Sequence, residues 1–126
     1  MQIGYFNTKE FASKDGAESP WPCIVDHTLI ELCNKIREEL GCAIVVNSGY
    51  RSPEHNAAIG GAKSSFHVQG KAADLAPYPF RYKKVEELHE ICDRLNPNGG
   101  VGFYDRFCHV DVRGWRARWD ERSKKE

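Results

Sequence analysis

Two stretches of the chain repeat apolar residues at intervals of three and four. In the first, Val25, Leu29, Leu32, Cys33, Ile36 and Leu40 share one face, which predicts a helix from about Asp26 to Leu40, stopped by Gly41. In the second, Tyr82, Val85, Leu88, Ile91, Cys92 and Leu95 predict a helix from about Arg81 to Leu95, ended by Asn96-Pro97-Asn98-Gly99-Gly100. Between them the pattern changes. Cys42-Ala43-Ile44-Val45-Val46 is a short β-branched run that reads as a buried strand. A short helix is predicted from Pro53 to Ile59, with proline at an early helical position and Gly60-Gly61 as its stop. Residues 62–70 read as a polar loop, and Lys71 to Ala76 as a strand ended by Pro77 and Pro79. Val101 to Tyr104 and Phe107 to Val112 then predict a hairpin around Asp105-Arg106. Residues 1–22 form an N-terminal arm that Tyr5, Phe6, Phe11 and Trp21 can dock, and residues 114–126 a charged tail expected to be solvated. The sum is an α+β domain with a small, mainly antiparallel sheet flanked by helices.

Composition narrows this further. The chain has 126 residues and 40% hydrophobic types, enough for one core and one domain over 1–126. Lys plus Arg equal Asp plus Glu at 18 each. A balanced charge argues against nucleic acid and anionic membrane surfaces as partners, which call for a basic excess. No apolar run approaches the roughly 20 residues of a spanning helix. Met1-Gln2-Ile3-Gly4-Tyr5 lacks the basic start of a secretory signal, so the expectation is a monomer that is cytoplasmic as synthesised. Cys23, Cys33, Cys42, Cys92 and Cys108 are odd in number and without zinc-knuckle or redox spacing, so they are expected as free thiols.

The chemistry concentrates in Ser64-Ser65-Phe66-His67-Val68-Gln69-Gly70-Lys71-Ala72-Ala73-Asp74. A glycine between His67 and Asp74 lets an imidazole on the loop meet a carboxylate on the following strand. Strand alternation puts Cys108, Val110 and Val112 on an apolar face and Phe107, His109 and Asp111 on the other. His67, Asp74 and His109 would make three protein ligands for zinc and leave one position open, as a catalytic site requires. Asp111, beside His109, is a candidate to accept a proton from the metal water. His27, His55 and His89 read as ordinary surface or core histidines.

These residues carry a family resemblance. Ser65-Phe66-His67-Val68-Gln69-Gly70-Lys71-Ala72-Ala73-Asp74 resembles the S-x-H-x-x-G-x-A-x-D motif of the zinc D-Ala-D-Ala carboxypeptidases, the M15 peptidases, which share a fold with the Hedgehog signalling domain. Ser48-Gly49-Tyr50-Arg51-Ser52 is similar to the family's upstream block, and Val101-Gly102-Phe103-Tyr104 with His109-Val110-Asp111 to its last metal strand. The opening Tyr5-Phe6-Asn7 resembles the small, often phage-borne members. The resemblance implies a Hedgehog/DD-peptidase-like fold, one zinc per chain on His67, Asp74 and His109, and hydrolysis of peptidoglycan stem peptides by a D,D-carboxypeptidase or endopeptidase. It implies that Arg51 binds the substrate carbonyl or carboxylate, and that Ser65 bonds to a neighbour of the metal or to substrate. Many members carry Glu or His two or three residues before the last ligand; here Arg106 and Phe107 stand there. The general base is then Asp111 or, from the turn, Asp105. A zinc-stabilised binding module without catalysis is the alternative.

Overall fold

The computed structural model describes residues 1–123. A two-residue ladder joins β1 (Gln2–Ile3) to β2 (Phe6–Asn7), followed by a 3-10 turn at Thr8–Phe11. Then come α1 (His27–Leu40), β3 (Ala43–Ser48), α2 (Pro53–Ala58), β4 (Ala72–Tyr78), α3 (Tyr82–Leu95), β5 (Gly100–Phe103), β6 (Cys108–Asp111) and β7 (Ala117–Asp120). The main sheet has five strands in the order β3-β4-β6-β5-β7, antiparallel except for the β5–β7 pair.

Helix α1 begins where Asp26 caps the Thr28 amide at 2.9 Å and ends at Gly41 in the left-handed conformation. Its predicted face is the core face: Leu29, Ile30, Cys33 and Ile36 are fully buried. Each such side chain contributes roughly 1.5–3 kcal/mol of burial. Leu88, Ile91 and Cys92 of α3 meet them, together with Ala73 and Leu75 of β4 and Cys108 and Val110 of β6. The arm docks through Phe6 and Phe11, which are buried, while Tyr5 and Trp21 stay exposed. No helix among the described residues is long and apolar enough to cross a membrane.

Two segments depart most from the sequence reading. Strand β4 runs through Pro77 to Tyr78, because β6 pairs only as far as Leu75. Beyond that point one edge of β4 is open, where a residue without an N–H costs no ladder bond. The tail is also not simply solvated: Ala117–Asp120 adds β7 alongside β5. Arg118 fastens it, donating to Asp93 Oδ1 at 2.6 Å and to the carbonyls of Gly99 and Asn96 at 2.8 and 2.9 Å. Residues 124–126 of the predicted tail lie outside the described residues.

Candidate active site

One sheet face packs on the helices, and the other carries the polar cluster. Asp74 of β4 stands directly opposite His109 of β6, which in turn faces Gly102 of β5; Asp111 faces Gly100. Those glycines make room. A Cβ at Gly100 would lie 2.3 Å from Asp111 Oδ2, and one at Gly102 would lie 2.4 Å from the Trp119 indole. The loop between α2 and β4 delivers His67, and Gly70 turns it back with φ +68° while the Trp21 ring packs where a Cβ would be. In β3 a bulge between Val46 and Ser48 brings Ser48 opposite Asp74.

His67, Asp74 and His109 are all buried, and one donor atom from each lies within 4.8 Å of the others. His67 Nε2 is 3.3 Å and His109 Nδ1 3.1 Å from the same oxygen, Asp74 Oδ1. The outer ring nitrogens are committed elsewhere. His67 Nδ1 sits 2.8 Å from the Gly49 carbonyl, an acceptor only, so it carries the proton. His109 Nε2 likewise sits 2.7 Å from Asp111 Oδ2. Neutral imidazoles held this way turn two lone pairs and a carboxylate oxygen toward one point. Three acceptors with no donor between them fit a cation, and two nitrogens with one oxygen suit zinc. Although burial opposes the charged form of His109, hydrogen bonds to Asp111 and Asp74 raise its pKa above the usual value. Asp74 is held well below the usual carboxylate range, since the bonds from His109 and His67 outweigh its burial.

Arg51 is fixed on three sides, with Nε to Ser48 Oγ at 3.0 Å, one terminal nitrogen to Asn56 Oδ1 at 3.2 Å and the other to Asp74 Oδ2 at 3.4 Å. Ser65 Oγ accepts the His67 amide at 3.2 Å. Arg51, Ser65 and the three-residue cluster line one cleft of about 410 Å³, together with Phe66, Tyr104, Phe107, Arg113 and Trp119. A larger hollow of about 650 Å³ is lined by Trp21, Val68 and Gln69, and no such cluster among the described residues opens into it.

Asp111 and Asp105 stand apart from this cleft. Asp111 is completely buried, and its carboxylate takes the Gly100 amide at 3.0 Å and the Arg113 side chain at 2.8 Å from two nitrogens, besides His109. Alternation along β6 did put Asp111 on the His109 face, but Arg113 folds over it. Burial opposes its charge, yet Arg113 and His109 hold its pKa well below the usual range. Asp105 accepts from Ser123 at 3.0 and 2.8 Å and lines a different hollow. Among the described residues, Asp74 is the only carboxylate lining the cleft. Sequence reasoning missed Trp119, whose ring centre is 5.0 Å from that of His109 and whose Nε1 donates to the Tyr104 hydroxyl at 2.9 Å. Gly102, opposite His109, was the signal that something large sits there.

The α+β fold thus places a buried His-Asp-His group that could hold a metal ion in a cleft beside Arg51. The chain belongs to the peptidase M15 family, whose family model matches residues 4–111. It is also 36% identical over 106 residues to a Haemophilus influenzae protein described as a probable peptidoglycan L,D-endopeptidase, MepK. That match covers 74% of this chain and 55% of the other, so the chain spans about half the length of this relative.

Proposed function

We propose that the chain is a zinc peptidase that hydrolyses peptide bonds in peptidoglycan stem peptides. The observation that carries this reading is the convergence of His67 Nε2, His109 Nδ1 and Asp74 Oδ1 at the end of an open cleft. Bound there, zinc supplies a Lewis acid and a water acidified toward a pKa of about 7. The remaining work belongs to side chains. Arg51 commits three of its nitrogens to Ser48, Asn56 and Asp74. Its remaining N–H groups are held for a substrate carbonyl or carboxylate, and its charge is permanent. Ser65 uses an oxygen lone pair on the His67 amide and keeps its O–H for substrate. Asp111 orients His109 by accepting a hydrogen bond from its Nε2–H, and we assign it that role in place of general base.

The name of the relative favours a cut within the peptide network, that is, an endopeptidase. Incubating purified protein with cross-linked muropeptides and with a free pentapeptide, followed by mass analysis, separates the outcomes. New internal termini support the endopeptidase, and release of terminal D-Ala alone makes it a D,D-carboxypeptidase. No hydrolysis by protein that binds one zinc per chain leaves a binding module. Failure to bind zinc removes the reading altogether.

A further inference from the structure

The cleft continues past the metal residues onto a surface that the proposed hydrolysis does not use. Phe66, next to His67, meets Trp115 edge to face, with ring centres 5.9 Å apart and planes at 72°. The Arg113 guanidinium covers one face of Phe66, 4.6 Å from the ring centre, and lies more loosely over Trp115 at 5.8 Å, so the exposed indole offers most of the free ring surface. Its own nitrogens are bound to Asp111, so it cannot swing away without breaking that pair. The three side chains form an aromatic corner. Phe66 belongs to the cleft wall, while Trp115 stands outside it and is 58% exposed. A large exposed ring with only two side-chain torsions gives contact area at little ordering cost.

We propose that the Phe66–Trp115 corner is a carbohydrate subsite that takes one pyranose ring of an N-acetylated amino-sugar strand. This rests on the peptidoglycan reading above, and it means that the protein grips the glycan as well as the peptide. The chemistry is that of an apolar face. Aromatic rings attract the weakly positive C–H bonds that line one side of a pyranose. Charge recognition is disfavoured, because the one guanidinium in the corner is already neutralised by Asp111. The stem peptide offers no comparable flat face, since its residues are small or charged. The exposed Ser64 lies two positions before Phe66, within the same loop, where sugar hydroxyls would need partners.

The test uses chitotetraose, an N-acetylglucosamine tetramer without any peptide, titrated calorimetrically into the full chain. Saturable binding is expected in the wild type, weakened about 3–10-fold in Trp115→Ala, the size of a lost ring contact. The thermal midpoint of the variant, followed in parallel, should hold because the indole is mostly exposed. In hydrolysis, the ratio of kcat/KM on glycan-linked stem peptide to that on free stem peptide should fall by a similar factor. Absence of saturable wild-type binding overturns the inference, as does equal binding by Trp115→Ala. An equal loss on linked and free peptide also overturns it, by making the corner a peptide subsite. Sugar binding without any hydrolysis keeps this inference and removes the peptidase reading; hydrolysis without sugar binding does the reverse.

Discussion

Replacing Asp111 by Asn separates an orienting role from a catalytic one. The carboxylate takes five donors on two oxygens: Gly100 N, Arg113 N and Arg113 Nε on Oδ1, and His109 Nε2 and an Arg113 terminal nitrogen on Oδ2. An amide of nearly the same size keeps one of these oxygens. If it serves the three donors of Oδ1, its NH2 points at two further donors in the place of Oδ2. Each charge-assisted bond lost costs about 1.5–3 kcal/mol. With Asp111 fully buried and Arg113 only 16% exposed, the sum agrees with the roughly 3–5 kcal/mol for breaking a buried ion pair. The variant has one way to relieve the clash: His109 moves its proton to Nδ1 and accepts from the amide at Nε2. That proton then occupies the lone pair aimed at the metal. Zinc affinity should therefore fall about 10–100-fold, the usual cost of losing the partner behind a ligand histidine. Competition with a chromophoric chelator measures the affinity, and thermal unfolding of the metal-free protein measures the stability. Wild-type zinc affinity and stability combined with lost turnover would refute this reasoning and make Asp111 the base.

Other perturbations test other parts of the argument. Gly102→Ala places a methyl 2.4 Å from the Trp119 ring and should cost about 1–3 kcal/mol of stability by overpacking; an unchanged thermal midpoint would mean that Trp119 does not depend on that gap. Thiol titration without reductant should find five reactive cysteines in denaturant but fast reaction only at Cys23 and Cys42 in the native protein, because Cys33, Cys92 and Cys108 are buried. Burial also pushes the Cys33 thiol up to about 12; more than two fast thiols would contradict the core packing. The hydroxyls of Ser13 and Ser52 and the Ala17 amide lower Asp15 to about 2. A depressed folded-state pKa contributes stability above the unfolded value near 3.9, and that contribution disappears as pH falls through the folded value. The wild-type advantage in thermal midpoint over Asp15→Asn should thus be constant above about pH 5 and close toward pH 2. A gap independent of pH would show that Asp15 acts through packing alone.

The sequence by itself determined the three α-helices, the four strands from residue 43 to residue 111 and the residues of the cluster. Helical periodicity marked α1 and α3 because burial of one face dictates that spacing, and strand alternation placed His109 opposite the core face of β6. The His67-to-Asp74 segment was legible because a glycine with positive φ leaves a local trace in the residue type. What lies beyond local rules was decided by tertiary packing. Alternation says which face Asp111 occupies but not what covers that face, and the covering Arg113 turns a cleft candidate into a buried partner of His109. Residues 117–120 carry no strong strand pattern of their own. They pair because Gly102 leaves room for Trp119 and Arg118 finds Asp93 and two carbonyls at the end of α3. Such contacts join residues far apart in the chain, and neither partner carries a periodic signal of the meeting. The cleft wall exists only in the folded chain, whereas the run from His67 to Asp74 is local in the sequence.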